Sequence, residues 1–484
     1  MLRPFFLWML LVASVFPFGN MCGADPIRLH QENGHYFEWR EKPTLLVTSG
    51  EHYGALLNLD FDFVRYLSAL EKDGLNHTRV FSGTYRELPG GHGIEANTLA
   101  PAKGRYLAPW KRSDQPGYFY GGNKFDLREY DPEYFRRLKE LLAEANKRGI
   151  VVELTLFCPL YTDGEWDVSP FNAKNNINGI GDWPRDETMT LKHPEVVRIQ
   201  EDFVRRIVLE LKEVGNLYYE VCNEPYARKV PADWEGRMLE VLREAEGELP
   251  QRHLISLNIA NGARKIENPP EGVSIFNFHY CVPPDVVNMN FGLDLLIGEN
   301  ETGFRGKHDF LYRSEGWDFL LAGGGLYNSL DYSFTVEHPA GDLKEYRAPG
   351  GGSAELRVQL GVLKKFLDQF DFIHMLPDEK CVRKVSDGLK WRALSRHGED
   401  YAIYMRVPIE KRPKKIEEFL RTGINAKMIL QLPAGKYRAE WISTLSGETL
   451  KTDDWEQPAG DHESLTPEFD NDVAVRIRRV DPSK

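Results

Sequence analysis

Paired carboxyl groups are the first feature of this 484-residue sequence that could do chemistry. Leu217-Tyr218-Tyr219-Glu220-Val221-Cys222 is a β-rich run, and Asn223-Glu224-Pro225 closes it. The proline stops the strand, so Glu224 is presented at its edge. A second carboxylate comes from Leu295-Leu296-Ile297-Gly298-Glu299-Asn300-Glu301. Residues two apart share one face of a strand, so alternation leaves Glu299 and Glu301 both open. Glu301 lies nearer the C-terminal edge and is preferred on that ground. Two carboxyls facing one another can divide acid and base work if one holds a proton while the other stays ionised, which requires different surroundings.

These runs belong to a longer alternation. β-Rich runs at 43–49, 77–82, 150–158, 217–222, 253–260, 273–280, 293–300 and 326–334 make eight βα pairs with intervening helix-period runs. The helices include 61–72, 132–148, 193–214, 232–248, 312–322 and 353–370. Phe135, Leu138, Leu141, Leu142 and Ala145 recur at helical spacing, which predicts one buried face. The run 150–157 is nearly continuously apolar, as a parallel strand covered by helices should be. Such a series reads as a (β/α)8 TIM barrel over residues 25–378, with its working residues at the C-terminal strand ends. That edge includes Glu224 and Glu301, and also His52 and Tyr53 after the first strand. The connections 84–131 and 159–192 follow strands and lie on the same face. Their length suits function, and they carry Trp110, Trp166 and Trp183. Asp331, near the end of the eighth strand, could bind a hydroxyl or serve as a buried structural partner. From Glu379 the pattern changes to short strands separated by turns such as Pro433-Ala434-Gly435, a small all-β, sandwich-like domain over 379–484. No Gly/Ser-rich or Pro-rich linker precedes it, so it should pack on the barrel.

The sequence resembles the clan A glycoside hydrolases, the cellulase-like barrels of which family 5 is the large example. The resemblance covers roughly residues 40–375. Asn223-Glu224 matches the clan's acid/base at the end of strand four, and Glu301-Thr302-Gly303 its nucleophile at the end of strand seven. Arg79 in Leu75-Asn76-His77-Thr78-Arg79 matches the strand-two arginine, and Phe278-His279-Tyr280 the histidine and aromatic of strand six. The chain departs from the clan after strand eight, where Tyr327-Asn328-Ser329-Leu330-Asp331-Tyr332-Ser333-Phe334 holds no tryptophan. The resemblance implies an enzyme that cleaves a β-linked oligo- or polysaccharide with retention. Such enzymes place their two carboxyls about 5 Å apart. Arg79 and Tyr280 would then favour and orient the anion of Glu301. Asn223 would meet the sugar 2-hydroxyl, and His279, His52, Trp166 and Asp331 would contact substrate. No cofactor or metal is implied. The alternatives are a cell-surface carbohydrate-binding protein on a barrel that no longer catalyses, and a transglycosylase using the same two carboxylates.

Composition agrees with an ordinary globular chain, at 42% hydrophobic and 28% charged residues, and argues against extensive disorder. Lys and Arg total 61 against 73 Asp and Glu, a net charge of −12, which is unlike a nucleic-acid binder or a protein held to anionic lipid. Arg3, an apolar run over 4–18 and small residues near Ala24 read as a signal peptide over 1–24. The run is shorter than the ~20 residues of a membrane span. A secreted or periplasmic protein without stable membrane insertion is expected, with lipid attachment at Cys22 disfavoured by the bulk of Met21. Four further cysteines, Cys158, Cys222, Cys281 and Cys381, show no metal-ligand spacing.

Overall fold

In the computed structural model, which describes residues 26–480 other than 387, eight parallel strands frame the molecule. They are β1 (Leu46–Gly50), β2 (His77–Phe81), β3 (Val151–Phe157), β4 (Leu217–Cys222), β5 (Leu254–Asn261), β6 (Ile275–His279), β7 (Leu296–Glu301) and β8 (Leu326–Leu330). Pairing runs in chain order from β2 to β8 and returns from β8 to β1. The seam between β1 and β2 is closed by Asn76: Val47 N–H donates to its side-chain oxygen at 3.0 Å, and its own N–H donates to the Val47 carbonyl at 3.2 Å. A side-chain amide thus completes a barrel that strand pairing alone leaves open.

Helices α1 (Phe63–Lys72), α2 (Pro132–Lys147), α3 (Pro194–Leu211), α4 (Ala232–Gly247), α5 (Asp285–Asn290), α6 (Asp309–Leu321) and α7 (Ala354–Leu367) connect the strands. α2 shows why such segments fold as they do. Asp131 caps it by accepting from the Glu133 N–H, Pro132 fits the first turn, and Phe135, Leu138, Leu141, Leu142 and Ala145 are buried. The fifth of the eight expected βα pairs differs from the series. β5 passes to β6 without a helix, because Pro269, Pro270 and Gly272 break the short connection. The run 43–49 is also divided. Lys42–Thr44 pairs with Phe37–Trp39 in a small antiparallel sheet, and the barrel strand begins at Leu46. Phe37 and Trp39 pack with Leu46, Val151, Ile275, Leu296 and Leu326, the first residues or nearly so of five barrel strands, and so plug the end opposite the strand C-termini.

The C-terminal part is an antiparallel sandwich. β9 (Leu376–Pro377), β11 (Lys390–Arg396), β12 (Asp400–Arg406), β17 (Asp472–Arg479), β14 (Gly435–Ile442) and β15 (Thr449–Gln457) form one sheet in that order. β10 (Val382–Val385), β13 (Lys427–Leu432) and β16 (Gly460–Leu465) form the other. Alternation on β12 divides two cores: Tyr401, Ile403 and Met405 face the second sheet, while Ala402 and Tyr404 join the barrel core. There Tyr404 stacks on Trp317 of α6, with ring centroids 5.1 Å apart. Arg313 of α6 donates to both oxygens of Asp472, at 3.0 and 2.7 Å, and Arg406 donates twice to Asp318, at 2.8 and 2.6 Å. The sandwich is therefore docked on the barrel rather than tethered.

The signal-peptide reading of 1–24, with Cys22, lies outside the described residues. Among the described residues no helix is long and apolar enough to cross a membrane, and Cys158, Cys222, Cys281 and Cys381 are free and buried.

The docking surface yields a stability prediction. Asp472→Ala leaves Arg313 buried without its anion, which should cost about 3–5 kcal/mol. Urea denaturation should show this as a lower midpoint, and an unchanged midpoint would show that the pair does not hold the two parts together.

Candidate active site

Both carboxylates of the first analysis arrive at the C-terminal mouth of the barrel. β4 ends at Cys222, and Glu224 follows with φ 36° and ψ 49°, a left-handed conformation uncommon for a carboxylate residue. Its N–H donates to the Asn258 side-chain oxygen at 2.9 Å, and the Asn223 N–H donates to the Phe157 carbonyl at 2.9 Å, which fixes the bend between β3 and β5. The Glu224 carboxylate accepts from the hydroxyls of Tyr161 at 2.9 Å and Tyr226 at 3.3 Å, and His279 Nδ1 lies 3.0 Å from its Oε1.

Glu301 ends β7 on the facing wall. It accepts from the hydroxyl of Tyr53 at 2.9 Å, the hydroxyl of Tyr280 at 3.0 Å and Arg79 Nη1 at 3.3 Å. One oxygen of Glu224, one of Glu301 and a ring nitrogen of His279 all lie within 4.8 Å of one another. Strand alternation could not separate Glu299 from Glu301, but a register shift does. β6 and β7 slip between Phe278 and His279, so that His279 pairs with Glu301 while Phe278 pairs with Glu299. Asn300 then points into the barrel, Glu301 into the mouth and Glu299 outward. There Glu299 accepts from the Cys281 N–H at 2.6 Å, and burial together with neighbouring Glu315 pushes its carboxyl well above the usual range.

The charge balance at the mouth rests on His279. Burial raises Glu224, yet hydrogen bonding and attraction from His279, with Tyr161 and Arg79 beside them, hold it at about 2. Burial lowers His279, and the charges of Glu301 and Glu224 outweigh it, so the imidazole sits above its ordinary value. Between the two groups the imidazole therefore holds a proton in preference to Glu224. The same three groups have the spacing of a metal-binding set, although tyrosine hydroxyls and Arg79 already occupy the carboxylates.

A polar layer lies beneath the mouth, inside the barrel. Arg79 binds Glu220 and donates to the Asn223 side-chain oxygen at 2.7 Å. Glu220 also accepts from Asn300 at 2.6 Å and Thr155 at 3.1 Å. Glu153 accepts from Asn277 at 2.7 Å and Asn300 at 3.0 Å, and burial plus the charge of Glu220 push it up to about 8. Gly298 makes room for this layer, since a Cβ there would meet the Asn277 side-chain oxygen at 2.4 Å.

The open space above is a cleft of about 260 Å³, lined by His52, Tyr53, Tyr161, Asn223, Glu224 and Glu301 among others. His52 Nε2 lies 3.3 Å from both oxygens of Glu87. The structure thus brings together Glu224, Glu301, Arg79, Asn223, His279, Tyr280 and His52. It does not bring in Trp166 or Asp331. Trp166 lies on the short helix Asp163–Val168, outside the cleft lining, where it packs on the core. Asp331 is fully buried as a structural partner, accepting from Arg357 Nη1 at 2.6 Å and from Ser333. The other loop tryptophans are spent similarly: Trp110 is buried against Phe171, and Trp183 stacks on His193 at 4.0 Å. Glu87, His92, Phe304 and Arg412 line the cleft without having been singled out. Gly90-Gly91-His92-Gly93 offered a loop signal for His92, whereas nothing local ties Arg412 to a site in the barrel.

No family model matches the chain, and no curated protein matches it. Solved structures do. A glycoside hydrolase aligns at 13% identity and TM-score 0.63 over 95% of this chain and 98% of its own. A putative glycoside hydrolase from Bacteroides vulgatus aligns at 12% identity and TM-score 0.62 over 96% of this chain and 83% of its own. A family 5 glycoside hydrolase from the same organism aligns at 13% identity and TM-score 0.61, over 94% and 93%. The barrel, its order of strands and these likenesses show a fold similar to that of family 5 glycoside hydrolases.

Proposed function

We propose that the protein hydrolyses β-linked glycans with retention, using Glu301 as nucleophile and Glu224 as acid/base. The observation that carries this reading is the facing of two carboxylates in unlike surroundings, within 4.8 Å through their nearer oxygens. Retaining enzymes work at a carboxyl separation of about 5 Å. Three donors, Arg79, Tyr53 and Tyr280, aim at Glu301 and orient its carboxyl group.

In the first step a Glu301 oxygen bonds the anomeric carbon as the bond to the leaving oxygen breaks, and that oxygen takes a proton from Glu224. His279 Nδ1, 3.0 Å away, loads Glu224 with that proton once substrate covers the mouth. In the second step water attacks the anomeric carbon, gives its proton to Glu224 and releases the Glu301 carboxylate. The phenols of Tyr161 and Tyr226 hold the Glu224 carboxyl in line for both transfers. Asn223, fixed by Arg79, faces the sugar 2-hydroxyl, and His52 lines the cleft as a substrate contact. The basic start and apolar run over residues 3–18, read as a signal peptide, support action outside the cytoplasm on an oligo- or polysaccharide.

Glu224→Gln should slow natural substrates by about 10²–10⁴-fold. Aryl glycosides with acidic leaving groups should lose less in glycosyl-enzyme formation, because they need little protonation. Equal loss on both kinds would show that Glu224 is not the acid.

A 2-fluoro glycoside with a good leaving group should trap the glycosyl-enzyme, and peptide mapping should place the label on Glu301. A label on Glu299, or product of inverted configuration, would contradict the assignment.

The pH profile follows from the raised histidine. Activity needs one proton on the His279–Glu224 pair, and it is lost as pH rises through the pair's upper apparent pKa. Since His279 lies above 6.5, the alkaline limb of kcat/KM should fall above pH 6.5. A limb below that value would remove His279 from the proton balance.

A further inference from the structure

The sandwich reaches back into the barrel's cleft. Between β12 and β13 the chain leaves the sheets, and there Arg412 lines the cleft beside Tyr280 and Phe304. Its neighbour is anchored to the barrel from two sides. Lys411 Nζ donates to the Tyr280 carbonyl at 2.6 Å, and the Lys411 carbonyl accepts from Arg305 Nε at 2.7 Å. Arg305 is itself buried and fixed by Glu315 at 2.7 Å. The backbone at Arg412 is thus placed by barrel groups rather than by its own domain.

The Arg412 guanidinium carbon lies 5.8 Å from the ring centre of Tyr280, whose hydroxyl donates to Glu301. The other arginines around this wall are neutralised, Arg79 by Glu220 and Arg305 by Glu315, whereas Arg412 is exposed and has no carboxylate at ion-pairing distance among the described residues. A planar guanidinium without an acid partner, beside the Tyr280 ring, is suited to bidentate capture of a carboxylate or a sulfate.

We propose that Arg412 is a specificity residue, through which the C-terminal sandwich selects glycans carrying an anionic group, a uronate carboxylate or a sulfate ester, next to the bond cleaved. The inference rests on the glycosidase reading above. On that reading the sandwich is part of the substrate site and not an accessory to it.

The test uses the full-length chain and β-glycan backbones offered in neutral, carboxylated and sulfated forms. Suitable sets are hydroxyethyl, carboxymethyl and sulfated cellulose, and mannan beside polymannuronate and mannan sulfate. Anionic forms should exceed their neutral counterparts by about tenfold or more in kcat/KM, as a charge-assisted hydrogen-bonded contact implies. The gain should lie in KM and shrink as salt rises. Arg412→Gln should remove most of the preference and Arg412→Lys should keep part of it, with urea midpoints showing that both variants fold. The carboxylate and sulfate arms report which anion is taken. A wild-type preference for neutral glycans, or a preference unmoved in Arg412→Gln, overturns the inference and leaves the glycosidase reading standing. Failure to cleave any glycan, together with absence of the 2-fluoro label, overturns both.

Discussion

Burying the guanidinium of Arg79 inside the barrel forfeits its hydration, a penalty on the order of several kcal/mol unless opposite charge is supplied close by. Glu220 on β4 and Glu301 on β7 supply it, with Glu153 on β3 near the guanidinium as well. The rings of Tyr53 and Phe81 cover the remaining faces, at 4.6 and 5.2 Å. Much of the mouth depends on this arrangement. Asn223 is oriented by the same guanidinium, and Asn277 and Asn300 hold the carboxylates below it. Burial and the charge of Glu220 push Glu153 up to about 8, which favours its neutral form, so it adds less charge to the layer than Glu220 does. A barrel interior filled only with aliphatic side chains would pack well but would leave nothing to fix the charge of Glu301.

Much of the barrel was legible because its signals are local. Continuous apolar runs mark strands buried on both faces, and the spacing of Phe135, Leu138 and Leu142 marks a helix against them. The missing helix after β5 was also written locally, in Pro269, Pro270 and Gly272, but was outweighed by the regularity of the series. Placing Glu224 needed only the strand end and Pro225. Separating Glu299 from Glu301 needed the slip between β6 and β7, a property of two strands together that neither sequence carries alone.

The remainder was hidden because long connections set it. The length of the tryptophan-bearing loops suited function, but loops of that length need cores of their own, and Trp110 and Trp166 fill them. Asp331, left open between a hydroxyl contact and a buried partner, takes the second role because Arg357 of α7 reaches it. Glu87 and His92 reach the cleft on the long connection after β2, and Arg412 crosses from another fold. Such contacts between residues remote in sequence leave no period or spacing to read.

The small sheet that plugs the barrel has a consequence for the order of folding. Phe37 and Trp39 come early in the chain, yet their partners Ile275, Leu296 and Leu326 come from its second half. Leu46, Val151 and Tyr218 can cover the plug early, but it is fully buried only when β8 is in place, so an emerging chain carries these aromatic rings partly uncovered. Contacts closing across so much sequence are slow to form. Completion of the barrel floor is therefore a late event, and a chain stalled before β8 would present an unpaired apolar sheet edge next to a partly uncovered plug, a surface prone to association.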